Sequence, residues 1–210
     1  MTSPTNKRIR LGVLLSGGGR TLLNILDEIA AGRLDAEVAV VIASRPCKGA
    51  ERAEAANLNV HVVPFKEHPE PAAYSAAISE LLDAAAVDLV CMAGFLSMWH
   101  VPPRYQGRVM NIHPALLPLF GGKGLYGDRV HQAVLASGAK VSGCTVHFVN
   151  NEYDAGPIIL QRTVQVRDTD TPHDLAERVF EQECIAYPEA IRLFAAGRLS
   201  IDGPIVRVAH

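Results

Sequence analysis

The feature that most constrains this chain is a short apolar run that breaks into three consecutive glycines. Arg8–Leu15 reads as a strand, and Ser16-Gly17-Gly18-Gly19-Arg20-Thr21 follows it directly. A run of that length without polar alternation is a strand covered on both faces, and a glycine turn lets the chain reverse from it into a helix. The same grammar then repeats. A helix from Thr21 to Ala31 is stopped by Gly32, a strand at Glu37–Ser44 precedes an alanine-rich helix at Ala50–Ala56, and a strand at Val60–Val63 comes next. Pro71 opens a helix to about Ala86, with Ile78, Leu81, Leu82 and Ala85 at helical spacing. Asp88–Ala93 and Arg108–Ile112 read as strands four and five. Strands alternating with helices, each strand a near-continuous apolar run, predict a doubly wound α/β fold.

The last third changes character. Val141–Val149 and Gly156–Val166 are longer strands separated by a turn over 150–155. Thr171-Pro172-His173-Asp174 is a helix start, with Thr as N-cap, Pro at the first position and an acid in the first turn. That helix is expected to run to about Tyr187, where Pro188 marks a kink or stop, and the tail after Gly197 reads as less regular. No repeat or linker interrupts the pattern. A chain of 210 residues, 49% of them hydrophobic, buries about 70% of its surface on folding, which suits one core. The reading is a single domain over 1–210, with its core at about 8–197.

Charge and composition exclude other classes. Twenty Lys+Arg stand against 22 Asp+Glu, for a net charge of −2 with no basic run, so the chain lacks the footprint of a nucleic-acid binder. Its apolar runs are strand-sized, too short for a membrane span. Lys7, Arg8 and Arg10 before Leu11–Leu15 imitate a signal peptide, but the apolar part is too short, so a cytoplasmic location is expected. Cys47, Cys91, Cys144 and Cys184 are scattered, with neither a C-x-x-C pair nor metal-ligand spacing. The expectation is reduced thiols and no metal. No motif encodes the oligomeric state.

Two stretches carry chemistry. The glycine loop can bring backbone N–H groups and a helix N-terminus to a phosphate. It is neither a Walker A loop nor a full G-x-G-x-x-G, since Leu22 takes the last glycine's place, and strand two ends in Ser44-Arg45 rather than an acid. Ser44-Arg45 leaves room for NADP, so a reductase is one rival and a non-catalytic nucleotide-binding module another. The sharper stretch is Asn111-Ile112-His113-Pro114. Alternation along the strand sends Asn111 and His113 to one side, and Pro114 holds His113 extended at the strand's end. An amide that donates to a developing oxyanion and an imidazole that moves a proton then stand together where α/β sheets bind ligands.

NIHPALLP at 111–118, SGGGRTLLN at 16–24, AGF at 93–95 and GCTVHFVNNEYDAGPIILQ at 143–161 together resemble the folate-dependent formyltransferases. Length and motif order are similar to the single-domain members that act on glycinamide ribonucleotide. The resemblance implies a mostly parallel, Rossmann-like sheet and transfer of a formyl group from 10-formyltetrahydrofolate to the amine of that nucleotide, in purine synthesis, with small-molecule substrates and no nucleic-acid or membrane partner. It nominates Asn111, His113 and Asp154 as catalytic. Asn111 and a protonated His113 would stabilise the oxyanion, and Asp154 would sustain the imidazole's charge. Gly19, Arg20 and Thr21 align with the phosphate loop, and Glu183 with the ribose ligand. Leu96, Ser97, Met98 and Trp99, with Asn150, Asn151, Glu152, Tyr153 and Asp154, align with the segments lining the folate pocket, which Asn111 also faces. The chain departs from the family where Arg20-Thr21 replaces a common Ser-Asn, and in the longer, four-glycine loop Leu119–Arg129, which reads as a lid.

Within that resemblance the rivals are hydrolysis of 10-formyltetrahydrofolate by water and transfer to another amine, on a sugar nucleotide or initiator tRNA. The deformylases carry an extra N-terminal regulatory domain, whereas strand one here begins by Arg8. The tRNA enzyme has a further C-terminal domain and needs a basic surface. Neither the reductase nor the binding module explains why Asn111, His113 and Asp154 coexist.

Overall fold

The computed structural model describes residues 8–68 and 70–209; the lead-in containing Lys7 lies outside them. The first half runs β1 (Ile9–Leu15), α1 (Arg20–Ala30), β2 (Ala36–Ala43), α2 (Lys48–Ala55), β3 (Val60–Val62), α3 (Pro71–Ala84), β4 (Leu89–Met92) and β5 (Val109–His113). The second half runs α4 (Asp128–Ala136), β6 (Val141–Phe148), β7 (Ile158–Gln165), α5 (Pro172–Ala195), β8 (Leu199–Asp202) and β9 (Ile205–Val208). All strands join one sheet in the order β3-β2-β1-β4-β5-β6-β7-β9-β8. The β3-to-β5 section is parallel throughout, while β6 pairs antiparallel with both β5 and β7.

Alternation along β1 explains the layering. Leu11, Val13 and Leu15 enter the core under α1, α2 and α5, whereas Leu14 enters a second core under α3 with Val40, Ile42, Tyr74, Ile78 and Leu82. Both sheet faces are thus covered, as the apolar strands require. The chain steps outward from β1 to β3, then returns to place β4 on the other side of β1. That reversal opens a crevice beyond the carboxyl ends of β1 and β4, where ligands bind in such sheets.

Three segments differ from expectation. α4 begins inside the stretch read as loop, burying Val130, His131 and Val134 at helical spacing. α5 runs through Pro188 to Ala195. The proline forfeits one backbone donor, but Tyr187, Ala190 and Ile191 around it are fully buried, and the Tyr187 hydroxyl donates to the Met92 and Met110 carbonyls at 2.9 and 3.0 Å. Burial of several large side chains outweighs one lost helical bond. The tail forms a hairpin, β8–β9, turning at Gly203-Pro204 and extending the sheet beyond β7. The expected Thr171 N-cap of α5 is present and forms half of a capping box: Thr171 Oγ1 accepts from the Asp174 N–H at 3.2 Å, and Asp174 accepts from the Thr171 N–H at 2.9 Å.

Candidate active site at the carboxyl ends of the strands

Two loop-forming sequences shape the crevice. Gly19 has φ +73°, and a Cβ on it would lie 2.7 Å from the Gly49 Cα, so the glycine loop can pack on α2 only because both residues are glycine. The Arg45 Nε donates to the Ser16 carbonyl at 2.9 Å, and the Ser16 and Ser44 hydroxyls are 2.6 Å apart. Ser44 and Arg45 are consumed in holding the loop and do not line the cavity, so they offer no NADP site. Beyond β5, the Thr145 hydroxyl donates to the Ala115 carbonyl at 2.7 Å and accepts from the Leu117 N–H at 3.0 Å. These bonds fix the proline-bounded segment that follows His113.

A cavity of about 680 Å³ spans the crevice. Its walls include Gly19, Arg20, Thr21 and Glu183 at one end, and Asn111, His113 and Asp154 at the other. Leu96 and Tyr153 also line it. Ser97, Met98, Trp99, Asn150, Asn151 and Glu152 do not. Trp99 is instead buried in the second core, where its indole N–H is 3.2 Å from the Ser75 carbonyl and the Ser79 hydroxyl. A large ring with one polar atom is better satisfied there than at an open wall. Asn150 and Asn151 serve the backbone, accepting from the N–H groups of Glu152 at 3.0 Å and Val101 at 2.8 Å.

The β5 end is densely bonded. Asp154 sits at φ +53°, a left-handed conformation that a carboxylate side chain tolerates better than most. Its loop is held shut by Gly156, where a Cβ would come within 1.8 Å of the Phe148 carbonyl oxygen. Asp154 Oδ2 accepts from the Gly122 N–H at 2.9 Å and lies 3.5 Å from His113 Nδ1. The other His113 nitrogen, Nε2, donates to the Phe120 carbonyl at 2.8 Å, since a carbonyl only accepts. Both imidazole nitrogens therefore face acceptors, an arrangement that suits the doubly protonated ring. Both of these backbone partners, Phe120 and Gly122, belong to the glycine-rich loop.

The sequence reading missed two histidines here. His147 on β6 stands opposite Asn111 in the antiparallel register and is 2% exposed. Its Nδ1 is 2.9 Å from the Phe148 carbonyl, so Nδ1 carries the hydrogen and Nε2 is a bare acceptor. Asn111 Nδ2 donates to that acceptor at 3.2 Å, which fixes the amide's orientation. The second Nδ2 hydrogen is only loosely held, 3.5 Å from Asp154 Oδ1. His131 on α4 also lines the cavity. Burial lowers the pKa of both rings, opposed at His147 by the Phe148 carbonyl and Asp154, and at His131 by Asp128. Burial thus disfavours charge on both rings beside His113, whose carboxylate neighbour is Asp154. The signal that could have found His147 is strand alternation, since Thr145 and His147 share a face.

The other end is polar and more open. Arg20 pairs with Glu177 of α5 through both terminal nitrogens, at 2.5 and 2.7 Å, and its guanidinium lies 3.8 Å over the Phe180 ring centroid. Glu183 lines the cavity, and burial pushes its carboxyl up to about 7, against the pull of Arg20. Among the described residues no group of three or more His, Cys, Asp or Glu side chains is placed to hold a metal ion. No described helix is long and apolar enough to cross a membrane.

Comparison with known proteins places this architecture. The formyl transferase family pattern matches residues 9–191. The phosphoribosylglycinamide formyltransferase of Arabidopsis thaliana chloroplasts is 40% identical over 197 residues, covering 92% of this chain and 68% of that protein. A trifunctional purine biosynthetic protein of Gallus gallus is 36% identical over 200 residues, which are 94% of this chain; the chain spans only 19% of its length. Glycinamide ribonucleotide transformylase 1 of Symbiobacterium toebii superposes with a TM-score of 0.89 at 45% identity, covering 96% of this chain and 94% of that one. The chain belongs to the formyl transferase family.

Proposed function

We propose that this chain transfers a formyl group from 10-formyltetrahydrofolate to the amine of glycinamide ribonucleotide, a step of purine synthesis. The observation that carries the reading is one continuous cavity with an oxyanion-and-proton trio at one end and an anion-and-sugar end at the other. Its volume lies within the range of small-molecule sites. Ala93, Phe95, Leu96, Ile112 and Tyr153 provide apolar wall beside the trio, which suits a pteridine ring system. The glycine loop and Arg20 take the phosphate, and Glu183, holding its proton near neutrality, can both donate to and accept from a ribose hydroxyl.

When bound, the folate supplies an activated formyl carbonyl. The amine bonds to the formyl carbon, the bond from that carbon to the folate nitrogen breaks, and tetrahydrofolate leaves with the proton that the amine gives up. Asn111, oriented by His147, directs its loosely held N–H at the carbonyl oxygen as negative charge develops there. The Phe120 carbonyl marks the His113 nitrogen that binds an oxygen; when the lid segment yields that place, His113 becomes the second donor. Asp154 supports the positive charge on His113 and anchors the lid through Gly122. The four free cysteines, two of them buried, suit a reducing compartment, and we place the reaction in the cytoplasm.

An assay of formyl transfer with glycinamide ribonucleotide, a sugar-nucleotide amine, and water alone tests the reading. Rapid, amine-dependent consumption of 10-formyltetrahydrofolate with glycinamide ribonucleotide is expected. Equal consumption without any amine would mean a deformylase.

A further inference from the structure

We infer that Glu177 and Phe180 are positioning residues that lock the Arg20 guanidinium in plane and rotation, with its remaining N–H edge left to grip a phosphomonoester. The inference rests on the nucleotide reading of this end of the cavity. Two different contacts constrain the same group. Stacking on Phe180, 3.8 Å from centroid to guanidinium carbon, fixes the plane. The two-pronged bond to Glu177 fixes rotation within that plane. Glu177 uses only one hydrogen on each terminal nitrogen. Arg20 Nε–H and the outward terminal hydrogens make no hydrogen bond with the described residues, and Arg20 and Phe180 line the cavity whereas Glu177 does not.

The sequence supports the arrangement. Residues 177, 180 and 183 are spaced three apart on α5, so Glu177, Phe180 and Glu183 lie along one helix face toward α1. Arg20 is the first residue of α1, which has no acid in its first turn. A cation there meets the positive end of the helix dipole, and without an anion beside it would swing into solvent. Glu177 supplies that anion from outside the cavity. A guanidinium is the group this pocket suits, because an ammonium neither stacks as a plane nor offers a planar fork of parallel N–H donors.

The experiment measures binding of ribose 5-phosphate and of glycinamide ribonucleotide by calorimetry to the full chain and its variants, with steady-state kinetics alongside. Arg20 and Glu177 side chains are 49% and 44% exposed, so substitutions there leave the core intact. Glu177→Gln and Phe180→Leu should each raise the Kd for ribose 5-phosphate about three- to fivefold, the scale of an exposed ion pair or stack. Arg20→Ala should raise it about tenfold or more, and Arg20→Lys should not restore it. In the Arg20→Ala background, Glu177→Gln should add nothing. The KM for the nucleotide should rise with these Kd values while the KM for the formyl donor stays put. Tighter binding in Glu177→Gln overturns the inference, because Glu177 would then compete with phosphate. Equal weakening with and without Arg20 also overturns it. If the unaltered chain binds neither probe, the nucleotide reading itself fails, whatever the variants do.

Discussion

At the β5 end of the cavity the polar groups lie close together and largely out of solvent: His113 and His147 are 4% and 2% exposed, and the half-buried Asn111 and Asp154 are tied to them. At the α1 end the principal charge, Arg20, is about half exposed and answers to a surface glutamate. Burial changes what a contact is worth. Removing one partner inside leaves another polar group stranded, at about 1–3 kcal/mol each, whereas an exposed ion pair contributes about 0–1 kcal/mol. The β5 end is therefore suited to stabilising a transient charge, and the α1 end to holding a ligand that must also leave. Substitutions at the first should act on kcat and at the second on KM.

The largest effects test that division directly. Asn111→Ala, His113→Ala and Asp154→Asn should each lower kcat about 10²–10³-fold, the usual scale for an oxyanion donor or proton-transfer group. Combining any two should cost little more than the worse one, because the three act as a unit. Kinetics with both substrates saturating would measure this. A loss confined to KM in Asp154→Asn would break the comparison, moving that carboxylate from chemistry to binding.

A smaller effect sharpens it. His147→Phe keeps a buried ring but removes the acceptor that orients Asn111, so kcat should fall about tenfold through misdirection of one amide. Binding of ribose 5-phosphate at the far end should not change. If kcat holds, the Asn111 amide finds its direction from Asp154 alone.

How far these parts could be read in the sequence depends on the range of the interactions that make them. Asn111 and His113 were legible because neighbours along one strand decide which way each side chain turns. The parallel section was equally legible: β1, β2 and β5 are apolar runs bounded by glycine, serine or proline, and the structure moves their limits by a residue or so. Asp154 came only from the resemblance, since its place depends on a tight turn between β6 and β7 and on the pairing of β6 with β5. His147 was missed because alternation gives its face, shared with Thr145, but not that this strand pairs with β5 opposite Asn111. Trp99 was misplaced because aligning a segment with a pocket does not say which of its side chains turn inward. Pro188 misled because a local rule about helix breaking lost to burial of the residues around it. The β8–β9 hairpin carried a readable Gly203-Pro204 turn with apolar residues on both sides, which the irregular-tail reading passed over.

The smallest expected effect on turnover concerns Glu183, which belongs to the open end yet behaves in one respect like a buried group. Its carboxyl is pushed up to about 7 in the folded protein, chiefly by burial. In the unfolded chain a glutamate titrates near 4.3. Between those values the folded state keeps a proton that the unfolded state has released, so this contribution is fully present below about pH 4.3 and lost as pH rises through 7. Glu183→Gln removes the titration while keeping size and hydrogen bonding. Melting temperature should therefore decline from pH 5 to 8 in the unaltered chain relative to the variant, by about 5–10 °C for a chain of this length. His131 and His147 titrate in the opposite sense, because burial holds them neutral while the unfolded chain takes up protons below about pH 6.5. Only the difference between the two proteins isolates the carboxyl. The nucleotide KM should follow the same titration: above pH 7 an ionised Glu183 repels the phosphate that Arg20 attracts, and Glu183→Gln should abolish that rise. A pH-independent difference in melting temperature would mean that Arg20 keeps Glu183 ionised throughout, and that the α1 end is solvent-like down to its deepest carboxyl.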